Sequence, residues 1–433
     1  MPTRYSRRDL PVHQPFPFMS LPSLSRVPAR VADPVGSPPA ASRGRVLWLS
    51  CVAHALHDGY TDMIYVLLPV WQADFGLSYG ALAMLRGVYA GTMASLQIPA
   101  GQLAKWLGTR ATLALGTLLA AAGYALAGMS GSLLGLCVAL AISGMGSSTQ
   151  HPLASGAVSR VFGKAARGPL SIYNFAGDVG KSIMPAAISL LVTQMPWRHA
   201  LWMASVVGCV AAAALALFFP TIARTAPVAM AAKEPGAARE TAGKGFPLLF
   251  AIGVLDTGVR MGVLTFLPFL LEAKGISRPM LGTALALVFG GGAAGKFACG
   301  WLGARMGVIA TVLATESGTA AAIVAVMVLP LAPTMFLLPL LGLMLNGTSS
   351  VLYGTVPELA PPGGTERAFA LFYTGTIASG AIAPMLYGFL GDVVGLHVAT
   401  LATALTALAI VPLAVALRPI LRPARASRLP TQN

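Results

Sequence analysis

Charged residues are scarce in this sequence. Only 10% of its 433 residues are Asp, Glu, Lys or Arg, whereas a soluble domain carries roughly 25%. Twenty-nine basic and fourteen acidic side chains are too few to cover the surface of a soluble body of this length. The composition therefore excludes a soluble enzyme, a nucleic-acid-binding domain and a disordered chain.

Cysteine is also scarce, and its spacing excludes further classes. Cys51, Cys137, Cys209 and Cys299 are each isolated within an apolar run. None has the paired spacing of a structural metal site or a redox motif, and the chain is not a disulfide-stapled scaffold. We interpret the cysteines as small packing residues, and the sequence predicts no metal and no cofactor.

Long apolar runs are the main feature that is present. Hydrophobic residues make up 56% of the chain, and their runs of about 20 residues are long enough to cross a bilayer as helices. We place twelve transmembrane helices near residues 46–70, 80–103, 111–128, 132–156, 169–192, 199–219, 247–271, 280–301, 308–329, 333–357, 368–390 and 397–417. The sequence thus predicts an all-α membrane protein with twelve transmembrane helices in two six-helix halves.

The segments outside these helices are polar. The halves are residues 46–219 and 247–417, joined by a solvated linker at 220–246 that is rich in charge, Pro and Gly. Residues 1–45 combine Pro, Ser and Arg and lack the apolar core of a signal peptide, so we interpret them as a disordered cytoplasmic tail. Residues 418–433 form a second tail.

Basic residues predict the orientation, because Lys and Arg in short loops are retained on the cytoplasmic side. One set of loops carries only Arg198, Lys274 and Arg278, whereas the tails, the linker and the alternate loops are basic. Both termini are therefore expected in the cytoplasm and the protein in the inner membrane. The formal net charge of +15 is then mainly a topology signal, with attraction to anionic lipid as a side effect and no nucleic-acid patch.

An internal repeat supports the division into halves. The segment 167–173 that opens the fifth helix matches 367–373 that opens the eleventh, at an offset of 367 − 167 = 200 residues. Gly180 and Gly380 keep this offset. Parallel repeats of this kind are the plan of one large transporter fold, with the substrate site between the halves.

Two loops share a glycine motif. Its residues are Gly101, Lys105, Gly108 and Arg110 after the second helix, and Gly300, Arg305 and Gly307 after the eighth. The first loop resembles the major facilitator signature G-x-L-A-D-x-x-G-x-R, which implies that fold and a conformational role for these residues. The family has an acid where this chain has Lys105, and that acid helps to latch the cytoplasmic side. The latch is therefore expected to be weak or built differently here.

Within that superfamily, three stretches resemble the fosmidomycin-resistance branch of exporters. They are residues 54–58 in the first helix, 146–152 in the fourth and 175–185 in the fifth. The resemblance implies proton-driven export of small organic compounds, which are often anionic. It does not indicate one substrate.

Ionisable side chains inside a membrane are functional candidates, because each costs at least about 2.5 kcal/mol at the bilayer centre. His54, Asp58 and Asp62 recur every four residues in the first helix and share one stripe, which His57 flanks. We predict that these four residues couple transport to protons. Asp62, nearer the outer side, is expected to be better solvated than Asp58. Structural hydrogen bonds are the alternative for the histidines.

Charged and polar residues on other helices are candidates for substrate binding. Arg86 has no acid one turn away on its own helix, so its guanidinium suits a carboxylate, phosphonate or phosphate.

His151, near the cytoplasmic end of the fourth helix, is a further candidate for the substrate site. It is expected to sense pH or line the inner vestibule, with helix-end packing as the alternative. Lys296 in the eighth helix is a further cation without an assigned role. Glu316 in the ninth is expected to have a structural partner on a neighbouring helix.

Two helices carry acids and bases on a shared face. Asn174, Asp178 and Lys181 lie together on the fifth helix, and Asp256 and Arg260 on the seventh. These residues are candidates for the substrate site. The alternative is that each acid only neutralises the base of its own helix.

The remaining sequence features favour a carrier. No catalytic motif falls in a loop, and two repeated halves suit alternating access better than a channel. We predict a monomeric secondary transporter that exports a small organic, anionic compound or drug in a proton-coupled cycle, with substrate, protons and membrane lipid as its partners. Proton-coupled uptake of an organic anion is the alternative. Divalent-metal transport through the histidines and acids of the first and fourth helices is a weaker one, because intramembrane cations oppose it.

The run Gly290-Gly291-Gly292 in the eighth helix is not a phosphate loop. No GK[ST] follows it, and it lies inside an apolar span. It predicts close helix packing or helix flexing.

Overall fold

The computed structural model describes residues 40–222, 242–361 and 364–421. Most of the two predicted tails and of the predicted linker lies outside the described residues. Within the described ranges the secondary structure is helical, with no strand. The helices are α1 (Ala40–Phe75), α2 (Tyr79–Ser95), α3 (Gln97–Leu107), α4 (Thr109–Met129), α5 (Leu133–Ser147), α6 (Gln150–Phe162), α7 (Arg167–Gln194), α8 (Trp197–Phe218), α9 (Ala242–Ala273), α10 (Arg278–Met306), α11 (Val308–Val328), α12 (Leu331–Leu359), α13 (Thr365–Val394) and α14 (Leu396–Leu421), with a 3-10 turn at Gly163–Ala165.

Ten stretches of the described chain are long and apolar enough to cross a membrane. They are α4, the pair α5 and α6, and each helix from α7 to α14. α1 and the interrupted pair α2 and α3 occupy the first two predicted spans. α1 is less apolar because Asp58, Asp62 and two histidines lie in its middle. The prediction of an all-helical membrane protein is confirmed, while the count of twelve spans stays a prediction.

Two predicted spans are each divided into two helices. The second predicted span is interrupted at Leu96, between α2 and α3. The fourth predicted span is interrupted at Ser148 and Thr149, between α5 and α6. The Ser148 and Thr149 hydroxyls donate to carbonyl oxygens three residues earlier, at 2.7 and 3.0 Å. Pro152 has no N–H with which to continue the helix. These local bonds explain why α5 ends and α6 begins inside one span.

Glycines bring α10 into close contact with α12. A Cβ at Gly291 would overlap the carbonyl oxygen of Pro339, and one at Gly292 would lie 2.5 Å from the side-chain nitrogen of Asn346. A Cβ at Gly290 would meet no atom within 4 Å. Close packing at this glycine run is therefore confirmed for two of its three positions.

We expect Gly291→Ala to destabilise the protein by about 1–3 kcal/mol, because the added methyl group forces α10 away from α12. Gly290→Ala is the matched control, since it adds the same group one residue away into open space. The measurement is thermal unfolding of the purified variants in detergent. Equal stability of the two variants would contradict this contact.

The apolar core is divided at one end of the molecule and continuous at the other. We call the end that carries Lys105, Arg110 and Arg305 the basic end. Near it, one core cluster contains residues only of the first group, α1 to α8, and a separate cluster contains residues only of the second group, α9 to α14. Away from it, one large cluster contains residues of both groups. The two groups therefore pack together at the opposite end, which we call the closed end.

Side-chain hydrogen bonds join the groups at the closed end. The Asp392 carboxylate of α13 accepts hydrogen bonds from the N–H groups of Tyr79 and Gly80, at 2.7 and 2.9 Å. These bonds satisfy free N–H groups in the first turn of α2, and the charge of Asp392 suits the helix dipole. The Ser189 hydroxyl of α7 accepts a hydrogen bond from the N–H of Gly282 at 3.0 Å and donates to the Arg278 carbonyl oxygen, both in α10. These contacts stabilise the closed end.

We expect Asp392→Ala to shift the population toward conformations open at this end by roughly tenfold or more, because it removes two charge-assisted hydrogen bonds. Spin labels on the turns at residues 130–132 and 274–277 would report a longer distance. Asp74→Ala is the control, since Asp74 lies at the same end but pairs with Arg198 within the first group at 3.1 Å. An unchanged distance in Asp392→Ala protein would show that the cap does not hold the closed end.

Candidate functional site

Asp58 is the centre of a buried charged cluster in the middle of α1. Its carboxylate lies 3.4 Å from His54 Nε2 and 3.3 Å from Lys181 Nζ of α7. Gly177 gives the cluster its space, because a Cβ there would lie 2.5 Å from the Asp58 carboxylate. The structure thus brings the predicted stripe of α1 against the predicted face of α7.

The backbone of α7 sets the tautomer of His54. His54 Nδ1 donates to the Tyr173 carbonyl oxygen at 2.8 Å. Nε2 is buried, faces Asp58 and makes no hydrogen bond within the described part of the chain. Because Nδ1 already carries a hydrogen, neutral His54 directs a lone pair at the carboxylate. The gap between Nε2 and Asp58 is therefore a position where one added proton would complete a hydrogen bond.

Two further histidines flank Asp58. His57 Nε2 and His151 Nε2 are 3.2 Å apart, so one donates to the other, and they lie 3.8 and 4.0 Å from Asp58 Oδ1. The expectation that His151 lies near the end of the fourth helix is wrong, because α6 continues to Phe162. The side chain of His151 is 37% exposed, so solvent reaches the cluster at this ring.

Lys181 and Asp178 do not form a self-contained pair within α7. Lys181 Nζ is 3.3 Å from Asp58 and 3.8 Å from Asp178. Asp178 accepts hydrogen bonds from Lys296 Nζ of α10 at 2.6 and 2.8 Å. The alternative of neutralisation within one helix is wrong here, because both residues have closer partners on other helices. Charges of alternating sign therefore run from the first group of helices to the second.

Lys296 joins this site although the sequence pattern did not assign it a role. The available signal was its position inside an apolar span. Asn174, in contrast, was a predicted site residue. It lies one helical turn from Asp178, but its side chain is exposed and makes no hydrogen bond to another described residue. The structure does not bring Asn174 into the cluster.

Asp62 and Arg86 lie toward the closed end. Asp62 is as buried as Asp58, so the expectation of better solvation is wrong, since the continuous core covers this part of α1. The guanidinium carbon of Arg86 lies 5.4 and 5.9 Å from the ring centroids of Tyr65 and Tyr89. Arg86 Nε and Nη1 are buried without a hydrogen bond to any described residue. Arg86 thus has free, desolvated donors, as its lack of a neighbouring acid predicted.

The ion pair considered between Asp256 and Arg260 is not direct. The Ser349 hydroxyl of α12 lies between them, accepting from Arg260 Nη1 at 3.1 Å and donating to Asp256 Oδ2 at 3.0 Å. Glu316 of α11 is buried and hydrogen-bonds to Asp256 of α9. Asp256 is thus the structural partner on a neighbouring helix that the sequence predicted for Glu316. A hydrogen bond between two carboxyl groups requires that one of them carries a proton. Through its hydrogen bond to Ser349, Arg260 is held within the second group of helices.

Three side chains of the cluster have the donor atoms of a metal site. Ligand atoms of His54, Asp58 and His151 lie within 4.8 Å of one another. Lys181 contacts the same carboxylate at 3.3 Å, and its ammonium opposes a divalent cation. The arrangement fits proton and ion-pair chemistry better than metal binding.

The two glycine-motif loops have the same backbone conformation. Gly108 and Gly307 have φ of +84° and +83°, a region that favours glycine, and each joins one helix directly to the next. Arg110 Nε donates to the Ala216 carbonyl oxygen at 2.6 Å, while Lys105 is exposed. The internal repeat therefore extends to the shape of these turns.

Comparison with protein families gives two matches, one for each group of helices. Residues 50–251 and 248–433 both match the model of the Major Facilitator Superfamily. The chain belongs to the Major Facilitator Superfamily. The assignment that the glycine motif predicted is confirmed.

Two curated proteins are similar to parts of the chain. The fosmidomycin resistance protein of Escherichia coli (strain K12) is 23% identical over 181 residues, 42% of this chain and 45% of that protein. The probable sulfoacetate transporter SauU of Cupriavidus necator is 26% identical over 162 residues, 37% of each chain. The matched segments span less than half of either relative.

Solved structures of transporters share the fold. A bacterial homologue of the human lysosomal transporter Spinster, in an inward-facing and occupied conformation, superposes with a TM-score of 0.72 at 14% identity, covering 88% of this chain and 98% of that one. The nucleoside transporter NupG gives a TM-score of 0.71 at 12% identity, covering 88% and 100%. These likenesses establish the fold, not the substrate.

Proposed function

We propose that this superfamily member is a proton-coupled transporter of a small organic anion. The proposal rests on the proton position between His54 Nε2 and Asp58, which are 3.4 Å apart, with Lys181 on the same carboxylate. A carboxylate that neutralises a lysine releases it when it binds a proton, and the released ammonium attracts an anion. Protonation and anion binding are thus linked at Asp58 and Lys181.

This linkage favours movement of the proton and the anion in the same direction. An anion that pairs with Lys181 leaves Asp58 without its counter-charge. An unpaired buried charge is costly, so the anion and the proton bind together, each raising the affinity for the other. Uptake of an organic anion with protons is therefore the direction that the charge arrangement supports.

Export in exchange for protons is the second candidate. It is the activity implied by the resemblance to the fosmidomycin-resistance branch, and one relative is named a fosmidomycin resistance protein. The other is named a probable sulfoacetate transporter, and sulfoacetate is an organic anion. Exchange requires that the proton and the anion compete for the site instead of binding together.

Purified protein in liposomes would separate the two candidates, with sulfoacetate and fosmidomycin as the probes and a pH-sensitive dye inside. An inward gradient of the probe should acidify the lumen if the proton moves with the anion, and make it alkaline if the two exchange. Transport without a pH change would overturn proton coupling. Failure to carry either probe under any proton gradient would count against an organic anion.

We also propose that the basic end faces the cytoplasm, in the inner membrane, with both termini on that side. The division of Lys and Arg between the loops supports this orientation. With this orientation, the divided apolar core at the basic end supports an inward-facing conformation. One chain supplies all residues of the candidate site, which supports a monomer whose partners are the substrate, protons and lipid.

Cysteine labelling would test this orientation in a variant without the four native cysteines. We expect Ser132→Cys, between α4 and α5, to react with a membrane-impermeant reagent added to the outside of cells. Thr365→Cys, at the start of α13, should react only after the membrane is opened. The reverse pattern would invert the orientation.

A further inference from the structure

One oxygen atom of Asp178 contacts two ammonium groups from different groups of helices. Lys296 Nζ of α10 lies 2.6 Å from Asp178 Oδ1, and Lys181 Nζ of α7 lies 3.8 Å from the same atom. The side chains of Lys181 and Lys296 are 29% and 38% exposed, whereas that of Asp178 is 11% exposed. The apolar core is divided toward the basic end, and both lysines are more exposed than the acid that they share.

We propose that an anionic group of the substrate binds between Lys181 and Lys296, in the place that Asp178 takes in this structure. This inference rests on the proposed function and names its subsite. Asp178 acts as a built-in substitute for the substrate. It neutralises both lysines when no anion is bound, and the anion displaces it on binding. Lys296 is then the residue through which the second group of helices recognises the substrate.

The chemistry of the subsite selects its ligand. Carboxylate, sulfonate and phosphonate groups each have at least two oxygens, so one such group can contact both ammonium ions. Displacing Asp178 leaves its carboxylate without a partner among the helices, which the membrane makes costly, so Asp178 and the anion compete for the lysines. An anion in this place also contacts both groups of helices, because Lys181 lies on α7 and Lys296 on α10.

Direct binding of sulfoacetate and of fosmidomycin to purified protein, measured by calorimetry, tests the subsite. In the unmodified protein, Asp178 competes with the anion for the two lysines. Asp178→Asn removes this competitor, so the variant should bind the probe roughly tenfold more tightly. Tighter binding cannot result from misfolding.

A double variant connects this gain to Lys296. In Asp178→Asn with Lys296→Gln, the acid and its closest base are both neutral, so neither is left without its partner. The gain in affinity should disappear, because a single ammonium remains in the subsite. Asp74→Asn is the control, since it neutralises an acid whose partner is Arg198 at the closed end. It should bind the probes as the unmodified protein does.

The outcomes separate this inference from the proposed function. Weaker binding by Asp178→Asn than by the unmodified protein would overturn the subsite while leaving anion transport in place. Equal affinity in the single and the double variant would also overturn it, because Lys296 would then contribute nothing. If neither probe binds the unmodified protein, the proposed function fails and the subsite fails with it.

Discussion

Asp58→Asn protein is expected to lose proton-driven accumulation of its substrate completely, while it still exchanges substrate across the membrane. Asn keeps the size of Asp58 and can hydrogen-bond to His54, but it does not bind or release a proton at working pH. Asp58 is the carboxylate nearest to Lys181 and the one that faces His54 Nε2, so its neutralisation removes the proposed link between the proton gradient and the anion. The measurement is probe uptake by liposomes with a proton gradient, compared with counterflow without one.

Asp62→Asn is the matched comparison on the same stripe of α1. Asp62 is buried to the same extent as Asp58, yet it has no ion pair within 4.0 Å among the described residues. Neutralising Asp62 therefore releases no lysine, and we expect a milder loss of accumulation. Full gradient-driven accumulation by folded Asp58→Asn protein would remove Asp58 from the coupling mechanism.

Contacts within a helix could be predicted from spacing, whatever the packing. His54 and Asp58 are four residues apart, so one helical stripe holds both, and their side chains are 3.4 Å apart in the structure. The absence of an acid one turn from Arg86 likewise predicted a guanidinium without an intrahelical partner. The presence of each helix could likewise be predicted from the length of an apolar run, because it depends on local sequence alone.

Contacts between helices could not be predicted, because they depend on the rotation and depth of each helix. Asp178 pairs with Lys296, 118 residues away, although Lys181 is nearer in sequence. Ser349 of α12 separates Asp256 from Arg260, and no spacing within α9 indicates a residue from another helix. The break before α6, which moves His151 into the cluster, also depends on hydroxyl bonds that apolar length does not report.

The acid of the family signature is missing at the basic end of this protein, whereas an acid at the closed end joins the two groups of helices. Lys105 stands where the family has a latching acid, and in this structure the apolar core is divided at the basic end. The acid that caps a helix across the groups is Asp392, at the closed end. Its bonds to α2 stabilise the closed end, so the missing acid and this cap favour the same conformation.

Arg86→Gln is expected to abolish nearly all binding of an anionic substrate, and Arg86→Lys to weaken it by roughly 10- to 100-fold. Arg86 Nε and Nη1 are buried without a hydrogen bond to a described residue, so they are available to a carboxylate or phosphonate. Lys keeps the charge but loses the two-pronged donor geometry. The measurement is probe affinity of purified protein, with thermal unfolding to confirm that each variant is folded.

The control is the other guanidinium among the membrane-spanning helices near the site. Arg260 is held by Ser349 next to Asp256, so Arg260→Gln alone leaves an acid without its base and should impair transport. The double variant Arg260→Gln with Asp256→Asn removes that acid as well, so it should recover affinity for the substrate. Arg86→Gln protein should have lost this affinity. Unchanged affinity in folded Arg86→Gln protein would assign Arg86 to packing among its tyrosine neighbours. Recognition of the anion would then depend on Lys181 and Lys296, the two lysines that already share Asp178.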